Sequence, residues 1–249
     1  MSNLNQVVSE SMHELRYFNQ RLKNLSEQMS KELGVDKLGT QTPLQCNATH
    51  ADQLRTLAES ILSLSQLFTT RLSFIDIELN PHTVKELNII STNIFGKFDK
   101  ARRMLNSQAR DKKVKVVFEK PDQVLPNVDA YPLIDILPYL ILDNAIKYSP
   151  DKNEVTVGFI KYDYSIDIVI ESIGPHVPKL EIPELFRKGY RGEHAKSTDA
   201  GGSGIGLHFV KYICDLHNVS IELTSDESYY QYEGIPHSNF KVHLSFNLE

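Results

Sequence analysis

The chain has 249 residues, 41% of them hydrophobic and 24% charged, with a formal net charge of −5 at pH 7. These values fit an ordinary soluble protein of one to two domains with a real core. Lysine and arginine are scattered rather than gathered into a stripe, which excludes the usual footprint of a nucleic-acid-binding protein. Cys46 and Cys214 lie far apart without metal-ligand spacing and read as reduced, inert thiols of a cytoplasmic protein. No apolar run approaches the roughly 18 residues of a membrane span, and no signal peptide is recognisable.

Residues 1–80 are expected to form a helical hairpin. Leu4, Val8, Ser11, Leu15, Phe18, Leu22, Leu25 and Met29 alternate at steps of four and three, the seam of a helix packed on other helices. Gly34, Gly39 and Pro43 mark a loop. A second seam follows through Leu54, Leu57, Ile61, Leu64, Phe68, Leu72, Ile75 and Leu79, and Pro81 ends it. Two copies paired into a four-helix bundle would bury these seams; the alternative is a hairpin folded back on its own domain.

Residues 81–249 are expected to form a second domain. The capping-box pattern at Thr83, Val84, Lys85 and Glu86 opens a predicted third helix through Leu87, Ile90, Ile94, Phe98 and Ala101 to Leu105. The pattern then becomes mixed. Strands are predicted at 114–118, 154–162, 165–171, 219–224 and 240–246, and helices from Pro132 to Tyr148 and over 205–217. The fold class is therefore α+β, with helices segregated on one face of a mixed sheet.

Four short elements carry candidate chemistry. Asp143-Asn144-Ala145-Ile146-Lys147-Tyr148-Ser149-Pro150 ends a predicted helix; an Asn amide oxygen suits Mg2+, and Lys147 suits phosphate. Ser172-Ile173-Gly174-Pro175-His176 follows a strand, where Gly174 lets a nucleotide base approach the backbone. Glu184 to Gly192, with Arg187 and Arg191, reads as a mobile basic lid. Gly202-Ser203-Gly204-Ile205-Gly206-Leu207 opens a helix whose amides and dipole suit a polyphosphate. This glycine loop comes late in the chain, after the Asn element, which excludes the Rossmann and P-loop arrangements.

Together the four elements resemble the N, G1, F and G2 boxes of the GHKL ATPase superfamily, in particular of sensor histidine kinases. The resemblance implies a Bergerat-type α/β sandwich that binds ATP and Mg2+. The nucleotide site would comprise Asn144, Lys147, Tyr148, Ser172, Gly174, Arg187, Arg191, Gly202, Gly204, Ile205, Gly206 and Leu207, with Asn144 as the Mg2+ ligand. His13-Glu14-Leu15-Arg16 resembles the phosphoacceptor box, and the seam register independently points His13 away from the bundle core. Glu14 would accept the imidazole proton. A homodimer, a response-regulator receiver domain and a separate sensor protein are the implied partners, unless the sequence is part of a longer sensor.

The chain departs from the family pattern at three places. Leu140 stands where the N box usually has a polar residue. Ser172 replaces the Asp that accepts the adenine amino group, and His176 replaces the second Gly of the G1 box. Tyr17 and Phe18 follow HELR where a small polar residue and a Pro are usual. These differences leave a second reading open, a degenerate kinase serving as a phosphotransfer or scaffold module. A third is a GHKL ATPase without phosphotransfer.

Overall fold

The computed structural model describes residues 19–33 except 21, residues 51–58 with 61, 64, 65, 68, 72 and 75, and residues 88–248 except 122, 203 and 228. His13, Glu14 and the capping-box residues Thr83 to Glu86 lie outside the described residues. The chain divides into two compact units, Met1–Glu86 and Leu87–Glu249.

In the first unit the described residues are helical but for Leu33, a turn. Burial follows the seams read from sequence. Leu22, Leu25, Met29 and Leu33 are half-buried while their neighbours are mostly exposed, and Leu57 and Leu64 are buried between half-buried Leu54, Ile61, Phe68 and Ile75. Leu72, where the seam slips by one residue, is exposed.

The second unit opens with a small antiparallel pair, β1 (Ile90–Thr92) and β3 (Val128–Ala130). This corrects the predicted third helix. The run through Ile90, Ile94 and Phe98 has helical spacing, but Ile90 lies in a strand and the helix begins at Ile94, as α1 (Ile94–Met104). Asn93 sets the boundary: its side chain accepts the Gly96 N–H at 2.9 Å, an N-cap that excludes a continuous helix through it. The β-branched run before it finds ladder partners instead. A short α2 (Asn106–Asp111) follows, then β2 (Lys115–Phe118).

Pro132 begins a 3-10 turn (Pro132–Ile136) rather than the helix itself, and α3 (Leu137–Tyr148) takes over from it. Next come β4 (Glu154–Lys161), β5 (Ser165–Pro175), a 3-10 turn (Ile182–Phe186), α4 (Glu193–Lys196), α5 (Gly206–Leu216), β6 (Ser220–Ser225), β7 (Tyr230–Tyr232) and β8 (Ile235–Asn247). The main sheet has the order β2-β4-β5-β8-β6, with β7 paired to the start of β8. β2 runs parallel to β4 and the other neighbours are antiparallel. Strands β5 and β8 are longer than their apolar alternation suggested, because the ladder continues to Pro175 opposite His237.

One face of this sheet is apolar. Val155, Val157 and Phe159 of β4, Ile166, Ile168 and Ile170 of β5, and Val242, Leu244 and Phe246 of β8 are buried on it. The helices supply the other half of the core through Ile94 and Phe98 of α1, Leu137, Ile141, Leu142 and Ile146 of α3, and Phe209, Val210 and Ile213 of α5. Phe98 meets Phe159 edge-on at 5.7 Å between ring centres. Each such side chain contributes about 1.5–3 kcal/mol by leaving water. The opposite face is polar: Asp167 accepts from Ser245 at 2.7 Å and His243 at 2.9 Å across the β5–β8 ladder. Burial alone would raise the Asp167 carboxyl, but these bonds and one from Ser165 outweigh it and hold it below the usual carboxylate range. Helices on one face and solvent on the other make the α/β sandwich expected from sequence.

Candidate functional site

Helix α3 presents Asn144, Lys147 and Tyr148, all half-buried, at its C-terminal end. That end is held by a cation. Lys112 Nζ donates to Lys147 O and to Ser149 O, each at 2.7 Å, satisfying carbonyls that the helix leaves unpaired. Burial pulls the Lys112 ammonium below its ordinary value, against the opposing pull of Asp151 and Glu233. Sequence inspection did not single out Lys112, since nothing in its local pattern distinguishes it from other surface lysines.

The glycine loop lies directly beside these residues. A Cβ on Gly206 would sit 3.4 Å from Asn144 Nδ2 and 3.7 Å from its Oδ1, so the bare backbone at the start of α5 faces the Asn144 amide. Gly202 abuts the Lys147 ammonium, and a Cβ there would lie 3.8 Å from the Tyr148 hydroxyl. The Lys147 ammonium also stands 5.0 Å over the Tyr148 ring. Ile205 is buried, anchoring the loop, and Leu207 is half-buried on the first turn of α5. Among the described residues no side chain caps the N-terminus of α5, whose first turn carries the positive end of the helix dipole.

Gly204 is required where it stands. Its φ is +73°, and a Cβ would come within 2.5 Å of Tyr190 O and 2.6 Å of the Gly189 carbonyl carbon. The contact is mutual, because Gly189 N donates to Gly204 O at 3.1 Å. The predicted lid and the predicted phosphate loop are therefore closed upon one another.

The segment between them is a folded strap. Glu181 Oε1 accepts from the Tyr190 hydroxyl and from Glu193 N, both at 2.8 Å. That bond to Glu181 is the main reason the Tyr190 phenol is pushed up to about 12. Arg191 Nη2 donates to Ala195 O at 2.8 Å and Ala200 O at 2.7 Å. Arg187, by contrast, is exposed, paired at 2.9 Å with Glu184 and lying 5.5 Å over the Tyr190 ring. Glu181 had no sequence signal, since its role arises only when the strap folds around it.

At the other end, Ser172 is buried in β5 on the helix-covered face of the sheet, two residues before Gly174. A Cβ on Gly174 would meet Tyr148 Cβ and Phe240 Cβ at an ordinary 4.0 Å, so β5 delivers Ser172 and Gly174 to the end of α3. Beyond them the backbone is tied off. His176 N donates to Pro236 O at 2.8 Å, and its Nδ1 lies 3.2 Å from Ser238 Oγ. Ser225 Oγ pairs with Ser238 Oγ at 2.8 Å and accepts the Val177 N–H at 3.1 Å. The His176 ring stacks on Tyr229 at 4.8 Å, and His194 Nδ1 donates to His176 O at 2.6 Å. The structure thus brings Asn144, Lys147, Tyr148, Gly174, Gly202, Gly204 and Gly206 together. Arg191 is turned into the strap, and Leu140 is half-buried one turn before Asn144 on α3.

A mixed sheet covered on one face by helices thus holds an Asn-bearing helix end beside a glycine loop. Residues 139–248 match the family described as histidine kinase-, DNA gyrase B-, and HSP90-like ATPase. The chain is similar to curated sensor kinases over part of its length. It is 34% identical over 86 residues to the probable sensor kinase SilS of Salmonella typhimurium and 36% identical over 86 residues to the sensor histidine kinase YkoH of Bacillus subtilis. Each match covers 34% of this chain but only 17% and 18% of those relatives. YclK of Bacillus subtilis is 27% identical over 142 residues, 57% of this chain and 30% of that protein. Among solved structures, the nucleotide-free catalytic domain of histidine kinase ThkA has a TM-score of 0.51 at 15% identity, covering 65% of this chain and 98% of that one. Full-length ShkA in complex with AMPPNP has a TM-score of 0.53 at 14% identity, covering 93% of this chain and 45% of that one. These two likenesses bear on the fold.

Proposed function

We propose that this chain is the phosphotransfer core of a two-component histidine kinase. Residues 1–80 would form the hairpin that dimerises and carries the phosphoacceptor, and residues 81–249 the domain that binds Mg-ATP. The observation that carries the reading is the meeting of Asn144, Lys147 and the start of α5. The Asn144 amide faces the backbone at Gly206, the Lys147 ammonium faces Gly202, and the start of α5 follows directly, so a hard oxygen, a cation and a helix N-terminus line one loop.

ATP supplies the phosphoryl group; the chain's residues bind it and place it. Lys147 and Arg187 would contact phosphate oxygens, and Gly202, Gly204 and Gly206 would let the backbone approach them. Tyr148, Ser172 and Gly174 would line the base end, with Ile205 and Leu207 packing the loop in place. Among the described residues no group of three or more His, Cys, Asp or Glu side chains could hold a metal. Mg2+ would accordingly be held by Asn144 together with phosphates and water, the coordination it prefers. Glu14 would take the imidazole proton of His13 as a His13 ring nitrogen bonds to the γ-phosphorus and ADP leaves. The phosphoryl group would then pass to an aspartate of a response-regulator receiver domain. A neighbour with a TM-score of 0.50 at 16% identity, covering 97% of this chain and 62% of that one, is histidine kinase ThkA solved with the response regulator TrrA, which supports that class of partner.

The half-buried seams of the first unit support a homodimer, and no described helix is long and apolar enough to cross a membrane. The reading places these domains in the cytoplasm, taking signals from a separate sensor or sensor segment. Incubation of the full chain with γ-labelled ATP and Mg2+ tests it. Acid-labile label is expected in the wild type and absent in His13→Gln. Label that persists in the variant, or never forms in the wild type, contradicts it.

A further inference from the structure

The strap between Gly189 and Gly204 contains Arg191, one of the two arginines that the resemblance places at the nucleotide site, yet its side chain is turned onto the strap's own backbone. A single nitrogen of Arg191 bridges Ala195 O and Ala200 O. Its Nε is enclosed and has no partner in the structure. Ala200 is the residue from which the chain enters Gly201 and Gly202, beside Lys147. The strap is closed at its base by Gly189 N donating to Gly204 O, and Glu181 fastens its outer half through the Tyr190 hydroxyl and Glu193 N. Gly192 permits this, since a Cβ there would crowd Glu181 Oε1 at 3.3 Å.

We infer that Arg191 and Glu181 are positioning residues: they fold the strap before nucleotide arrives and so fix where the phosphate loop begins. Arg191 acts on the phosphates through Ala200 and the loop that follows it, not by touching them. The guanidinium nitrogen that already serves two carbonyls cannot extend to a polyphosphate without releasing both. Arg187, just before the strap, is exposed, and its ion pair with Glu184 can exchange with water, which leaves it freer than Arg191 to meet a phosphate. A preformed strap lowers the ordering cost of binding, so the pair should raise affinity for any nucleotide carrying the shared phosphates.

This inference rests on the nucleotide-binding reading, but its first test does not need nucleotide. Hydrogen exchange of the nucleotide-free full chain reports on the Lys196 and Ser197 amides, which donate to Gly192 O and His194 O inside the strap. Arg191→Met, which removes every donor, should speed their exchange about tenfold, the scale of losing a hydrogen bond to a charged group. Arg191→Lys, whose ammonium can serve both carbonyls, should retain protection, and Glu181→Ala should lose it. In titrations with Mg-ADP and Mg-AMPPNP, Arg191→Met should weaken both by the same factor and Arg191→Lys should restore both. Unchanged exchange in the Met variant overturns the inference, as does loss of AMPPNP affinity with ADP affinity intact. So does failure of the Lys variant to regain protection, which also decides the matter if the Met variant does not fold. If the wild type binds neither nucleotide, the functional reading fails while the exchange arm still settles the role of the strap.

Discussion

Replacing Gly204 by Ala probes the joint between strap and phosphate loop. The residue holds φ +73°, a conformation that costs an L-residue about 1–2 kcal/mol. The added methyl would also stand 2.5 Å from Tyr190 O, a backbone atom that cannot swing aside, so strap and loop must part. Parting them breaks the 3.1 Å bond from Gly189 N to Gly204 O, worth about 0.5–1.5 kcal/mol. Together these come to about 1.5–3.5 kcal/mol, localised where the phosphates would sit. If binding requires the present loop geometry, restoring it at that cost lowers affinity roughly 10- to 300-fold. Gly201→Ala is the matched control, because nothing lies within 4 Å of a Cβ there and its φ is not positive. Calorimetric titration with Mg-AMPPNP, alongside urea unfolding, reads both effects. Gly204→Ala that binds and unfolds like Gly201→Ala would refute the reasoning.

Other substitutions test other joints. Lys112→Met leaves the Lys147 and Ser149 carbonyls without their donor and should lower stability by about 1–2 kcal/mol in urea unfolding, allowing for the partial exposure of the lysine. An unchanged midpoint would remove Lys112 from the account. Arg187→Ala should leave stability within roughly 0.5 kcal/mol, as expected for an exposed ion pair, while weakening Mg-AMPPNP severalfold; unaltered binding would take Arg187 out of the site. His217 accepts the Tyr131 N–H at Nε2 and donates from Nδ1 to Ile213 O, an arrangement only the neutral ring can make. Burial lowers its pKa below 6.5 against the upward pull of the Ile213 carbonyl. The unfolded chain therefore binds the extra proton first, so the His217 contribution is full above pH 6.5 and is lost as pH falls through the lower folded value. The stability difference between wild type and His217→Asn should shrink on acidification below pH 6.5, and a difference constant with pH would contradict this assignment.

Much of the fold was legible because period and punctuation agree. The alternation of β4 and β5, the seams through Leu57 and Leu64, and the apolar faces of α3 and α5 all follow from burial of one side. Ile90 misled because helical spacing with Ile94 and Phe98 is also what a short strand followed by a capped helix produces. Only its pairing with β3, distant in sequence, decides between them. Residues 235–239 carry Pro236, His237 and Ser238, weak strand formers that are held in β8 by β5 and β7 on either side. Asn144, Lys147 and the glycines stood out because close backbone approach and uncapped amides demand particular residue types. Glu181 and the inward turn of Arg191 did not, because loop side chains find their partners through three-dimensional closure and leave no periodic trace.

The most direct measurement of the central claim is calorimetric titration of the full chain with AMPPNP, with and without Mg2+. The account predicts saturable binding that strengthens with Mg2+ and weakens sharply in Asn144→Ala, which removes the amide facing Gly206 while leaving the fold intact. Absence of binding in the wild type, or binding indifferent to both Mg2+ and Asn144, would contradict it.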